Sequence, residues 1–140
     1  MTLGDHERLD RDARKGSRAV VIGGGLIGVE VAEILHHRGL HVTFVIRDDW
    51  YFPMALDSNE SSMVAAHMRR HGIDVRTKQA VEAIERSSTG SLAGVRLADG
   101  STMAADVVAV AIGVVPNTEW LGSSGLAVSA AGAIEVDDAL

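Results

Sequence analysis

Apolar positions in this chain gather into short unbroken runs, each bounded by glycine or followed by a segment of helical spacing. Residues 19–22 are wholly apolar, partly β-branched and without alternation, which predicts a strand buried on both faces of a parallel sheet. Glycines follow at once. Beyond them Ile27, Val31, Ile34 and Leu35 recur at helical spacing, predicting a helix that opens near Leu26, buries that stripe and stops at Gly39. A second apolar strand over residues 41–46 completes a strand–helix–strand unit.

The next helix is predicted from a cap at Asp57 or Ser58 to about His71. Glu60 supports its first turn, Met63, Val64 and Met68 face inward, and Gly72 ends it. Residues 73–75 begin a third parallel strand. The period then changes. Segments 81–86, 94–97 and 101–103 are short and separated by polar turns, Asp99-Gly100 among them, and read as an antiparallel meander in place of a crossover helix. A buried strand over 107–112 ends at Gly113, and a last short strand is expected at 133–136. Residues 1–17 alternate in charge with few apolar anchors, so they read as a solvated lead-in or linker with one or two helical turns, and the folded domain spans 18–140.

Gly23, Gly25 and Gly28 fit the spacing G-x-G-x-x-G between that strand and that helix. In such a setting the first glycine permits a tight turn, the second lets the backbone approach a phosphate, and the third lets the helix lie close to the strand. The free amides and positive dipole end of the helix then face an anion. A dinucleotide is the ligand this arrangement serves; in the rival reading the glycines serve helix–sheet packing alone.

The end of the second strand is where such a site chooses its cofactor. An acidic side chain there would accept hydrogen bonds from the adenosine ribose of NAD, whereas a basic group suits the 2′-phosphate of NADP. Ile46 stands at the acid position, followed by Arg47, Asp48 and Asp49. Arg47 tips the balance toward NADP over NAD, while Asp48 remains able to reach a ribose. Trp50, Tyr51, Phe52 and Pro53 come next and read as an anchor for a neighbouring domain or subunit, a homo-oligomer included, in preference to a stack on adenine.

Composition narrows the chemistry. A net charge of −6 argues against nucleic-acid binding, and no apolar run approaches a membrane span. The first residues are charged and lack the apolar core of a secretory signal, so a cytoplasmic protein is expected. With no cysteine the chain holds no disulfide and no thiolate nucleophile, so redox chemistry falls to a bound group. His67 and His71, four apart, share a helix face but lack a third ligand, and no metal site is expected.

In order, the glycine-turn unit, Arg47 after the second strand, Gly72-Ile73-Asp74-Val75, the meander and the run from Ala111 through Gly113, Pro116 and Asn117 to Thr118 resemble one known domain. It is the NAD(P)H-binding domain of FAD-dependent pyridine nucleotide–disulfide oxidoreductases, and the likeness covers about residues 17–138. The resemblance implies a Rossmann-like three-layer α/β domain, a parallel sheet with helices on one face and an antiparallel β-meander on the other. It also implies that this domain is excised from a larger enzyme whose FAD-binding domain lies outside the segment.

By that likeness Gly23, Gly24, Gly25 and Gly28 carry the pyrophosphate, Leu26 and Ile27 lie beside the nicotinamide half, and Glu30 matches a helix glutamate near the nicotinamide. Arg47 matches an arginine used for the 2′-phosphate, and Gly113 matches a loop glycine at the nicotinamide end. Phe52-Pro53 occupies the region where NADPH members often add a second basic residue. The function implied is positioning the nicotinamide for hydride transfer to flavin, with no catalytic acid, base or nucleophile in this segment and no turnover by the fragment alone. The alternative is a stand-alone dinucleotide-sensing regulatory module without catalysis.

Overall fold

The computed structural model of the chain describes residues 3–138. In chain order its elements are α1 (Leu3–Asp12), β1 (Arg18–Ile22), α2 (Leu26–His37), β2 (His41–Val45), α3 (Ser58–Arg70), β3 (Asp74–Arg76), β4 (Val81–Arg86), β5 (Leu92–Leu97), β6 (Thr102–Ala104) and β7 (Val107–Val110), then a short 3-10 turn, Glu119–Leu121. The central sheet is parallel throughout, in the order β3-β2-β1-β7, and β4-β5-β6 form a separate antiparallel meander.

Strand alternation sorts the apolar residues into two cores. Ala19 and Val21 of β1, Val42 and Phe44 of β2, and Val107 of β7 face the helices, where Val31, Ala32 and Leu35 of α2 and Ala65 and Met68 of α3 close over them. Val20 and Val45 point the other way and pack on Val95 and Ala105 of the meander side. Three layers result, a Rossmann-like α/β fold with helices on one face and the meander on the other. Phe44 is fully buried, a placement that contributes roughly 1.5–3 kcal/mol by area alone.

The buried stripe of α2 is not the one that hydrophobicity alone selects. Gly28, Val31, Ala32 and Leu35 face the sheet, whereas Ile27 and Ile34 are exposed. Gly28 and Ala32 are small, so the helix axis approaches the strands along them and the bulky isoleucines turn outward. The helix ends as expected: Gly39 takes a left-handed φ of 85° and donates its N–H to the His36 carbonyl at 2.8 Å.

In α3, Met63 is 73% exposed and the inward place beside Ala65 and Met68 goes to Ser61, whose hydroxyl donates to the Tyr51 carbonyl. Asp57 is the cap, accepting from the amides of Asn59 and Glu60 at 2.8 and 2.9 Å while Glu60 accepts from the Asp57 amide at 3.0 Å.

Other differences have local causes. The lead-in carries a helix of 10 residues, longer than one or two turns, because Leu9 and Ala13 pack against the helix-face core. β7 stops at Val110, and Ile112 beyond it is exposed, since the ladder to β1 ends at the pair Ile22 and Val110. The strand expected at 133–136 reduces to a single antiparallel bridge between Val128 and Ile134. Tyr51, expected to anchor a neighbour, is instead buried in the domain, 6.2 Å from Phe44 ring to ring.

At the base of the sheet Arg18 clamps β1 to the start of β7. Its guanidinium holds both Asp106 carboxylate oxygens, at 2.9 and 3.2 Å, and its amide donates to Asp106 at 2.9 Å. Those hydrogen bonds pull the Asp106 pKa down to about 2. A depressed carboxyl pKa stabilises the fold fully above the unfolded value near 4, and that contribution is lost as pH falls through about 2. The pair is largely exposed, so solvent screening keeps its contribution small. A carbon-13 NMR titration should place the Asp106 midpoint near 2, and Asp106→Asn should flatten the acid limb of the stability curve.

Candidate dinucleotide site

All four parallel strands end on one edge of the sheet, and the loops leaving them meet there. Gly23 follows β1 with a φ of 122°, and its N–H donates to the Val45 carbonyl at 3.0 Å. A Cβ on it would lie 2.2 Å from the carbonyl oxygen of Ala111, so only glycine lets the turn pass the loop after β7. Gly28, one helical turn on, faces back against the same turn, where a Cβ would stand 2.0 Å from the Gly23 oxygen. Gly24 is packed too, since a Cβ there would meet Ile46 Cγ2 at 2.6 Å.

Gly25 differs from its neighbours. It is the N-cap of α2 in extended conformation, it offers no side-chain cap, and a Cβ on it would meet nothing within 4 Å. The first intrahelical bond runs from Val29 N–H to the Gly25 carbonyl, leaving the amides of Leu26, Ile27 and Gly28 without a partner inside the helix. No acidic residue stands in the first turn, and Leu26 and Ile27 are exposed. A helix mouth with free donors, a positive dipole end and open space in front of its cap fits a diphosphate.

The remaining candidates border this mouth. Glu30 is exposed on α2 and makes no hydrogen bond or ion pair among the described residues; burial, together with the charges of Glu30 and Glu33, raises the pKa of the Tyr51 hydroxyl. Gly113, at a φ of 152° with open space around it, lies two residues past Ala111, which pairs through its N–H with Ile22 at 2.8 Å. Arg47 is 81% exposed and leans on Asp48 at 3.8 Å. The aromatic loop is tied to the glycine turn, the Phe52 N–H donating to the Gly24 carbonyl at 2.9 Å.

The sequence reading did not single out Lys78 and Gln79, in the loop after β3. Their amides donate to the carbonyls of Asp48 and Ile46 at 3.0 and 3.1 Å, so this loop is stitched to the one bearing Arg47. Their position at the carboxyl end of a predicted strand was the available signal. His67 and His71 lie elsewhere, on α3, with rings 4.2 Å apart and His71 Nδ1 donating to the His67 carbonyl at 2.9 Å. Among the described residues no three histidine or carboxylate groups are arranged to hold a metal, and no helix is long and apolar enough to cross a membrane.

A glycine turn at the carboxyl edge of a parallel sheet, backed by an antiparallel meander, defines a Rossmann-like fold of the oxidoreductase type. The chain belongs to the pyridine nucleotide-disulphide oxidoreductase family, whose pattern matches residues 1–140. It is 39% identical over 127 residues to rhodocoxin reductase of Rhodococcus erythropolis, covering 91% of this chain and 30% of that protein. In structure it resembles an NAD-dependent persulfide reductase from A. fulgidus, with a TM-score of 0.82 and 36% identity over 98% of this chain and 25% of that one.

It also resembles an engineered water-forming NADPH oxidase bound to NADPH, with a TM-score of 0.79 and 27% identity over 99% of this chain and 30% of that one. That enzyme derives from the Lactobacillus brevis NADH oxidase by substitutions that include aspartate to alanine and, at the very next position, alanine to arginine. The chain spans 30–32% of the length of the first curated relatives it matches.

Backbone crowding separates the glycines. Gly23→Ala should lower stability by about 2–3 kcal/mol in urea denaturation, because backbone must shift, whereas Gly25→Ala should cost under about 0.5 kcal/mol.

Proposed function

We infer that this chain is the NAD(P)H-binding domain of an FAD-dependent oxidoreductase, and that it takes NADP in preference to NAD. The uncapped mouth of α2 carries the reading, since the amides of residues 26–28 have donors to give and open space in front of them. Gly25 admits the diphosphate, Leu26 and Ile27 border it, and Glu30 and Gly113 stand toward the nicotinamide end. When bound, the dinucleotide supplies hydride to a flavin held by the rest of the enzyme. The protein's part is to orient it and to keep the diphosphate charge on fixed dipoles.

The preference for NADP rests on Ile46 and Arg47. An apolar residue followed directly by arginine is the order of residue types found in the engineered NADPH oxidase. Here the isoleucine is buried and cannot accept from a ribose, while the arginine is exposed and weakly held. Beyond β7 Ile112, Val114, Val115 and Trp120 are exposed, an apolar stretch of chain suited to contact with the FAD-binding domain of the larger enzyme.

Titration of the 140-residue chain with NADPH and NADH, followed by nicotinamide fluorescence, should show binding of both and tighter binding of NADPH. A folded chain that binds neither refutes the reading. Gly25→Asp should change stability by only a few tenths of a kcal/mol yet abolish binding, by placing a carboxylate in the mouth. Arg47→Ser should weaken NADPH about tenfold with little change for NADH, and equal losses for both would remove its phosphate role.

A further inference from the structure

Among the described residues only Phe52 and Lys78 combine a side chain with a positive φ, and Lys78 is the charged one of the two. Its φ of 57° is left-handed, a conformation that glycine or asparagine adopts at less cost than lysine. Two backbone bonds hold it there: its own N–H to Asp48 and that of Gln79 to Ile46. The turn therefore needs this backbone shape, but nothing in the shape calls for a lysine side chain.

The side chain's ion pair does not account for it either. Lys78 Nζ lies 3.4 Å from Asp49 with both side chains about two-thirds exposed, 66% and 65%. An exposed pair of this kind contributes little, no more than the strained backbone costs. Arg47 is in the same condition, 3.8 Å from Asp48 and 81% exposed. Two cations from two different loops thus flank the end of β2, each resting on an adjacent carboxylate that it can exchange for a stronger anion.

We propose that Lys78 is the second cation of the 2′-phosphate site, reaching it from the loop after β3 and not from the loop that carries Arg47. A phosphate monoester near neutral pH carries a charge of about −1.5 to −2, enough to take both cations from their single carboxylates. Specificity for NADPH then depends on two segments that are distant in the chain and joined by the Lys78–Asp48 and Gln79–Ile46 hydrogen bonds. Asp49 competes with the phosphate for Lys78. This proposal rests on the NADP reading above and names one more residue of the same site.

Calorimetric titration of the whole chain with NADPH and NADH at two salt concentrations tests it. Lys78→Asn keeps the left-handed backbone and removes the charge, so its melting temperature should not fall. It should bind NADPH about fivefold more weakly, bind NADH within about twofold of the original, and show a shallower salt dependence for NADPH. Lys78→Arg should retain most of the NADPH affinity, and Asp49→Asn should raise it.

If Lys78→Asn weakens both dinucleotides equally or neither, while Arg47→Ser weakens NADPH alone, the role given to Lys78 is overturned and the NADP reading stands. If the unaltered chain shows no preference for NADPH, both are overturned.

Discussion

The structure depends on backbone touching backbone at the end of β1. Gly28 sits over the Gly23 carbonyl and Gly23 passes under the Ala111 carbonyl, each at a separation that no Cβ tolerates. These contacts fix the height of α2 above the sheet and the position of the loop after β7. They also leave the helix mouth facing outward, where Gly25 alone keeps space in front of the free amides. Packing and ligand access are thus set by the same four glycines, with Gly23, Gly24 and Gly28 crowded and Gly25 open.

Much of this was legible in the chain because the causes are local. A run of apolar residues, glycines at fixed offsets and a helical stripe specify the strand–turn–helix unit without any distant partner, and α2 does open at Leu26. The Asp57 and Glu60 capping box is equally local. The meander was readable from its turns, and its three strands differ from expectation by a residue or two at their ends.

What the chain did not reveal depends on how elements are set against one another. Ile27 and Ile34 outrank Gly28 and Ala32 in hydrophobicity, yet the small residues face the sheet because close approach matters more than apolar bulk. Tyr51 looked like a surface anchor, but Phe44 and the Ser61 hydroxyl draw that stretch inward. Lys78 is 31 positions from Arg47 in the chain, and only the side-by-side pairing of β2 with β3 makes them neighbours.

Ile46 lies sealed between the glycine turn and the helix-face core, fully inaccessible and pressed on Gly24. Restoring a carboxylate at that point would put an ionised group into a dry pocket, where desolvation works against the charge that ribose recognition requires. A carboxylate there would require the glycine turn packed on Ile46 to move, and that turn is fastened through the Gly24 carbonyl to the Phe52 amide. The chemistry available at position 46 is thus limited by the packing around the residue as well as by the residue itself.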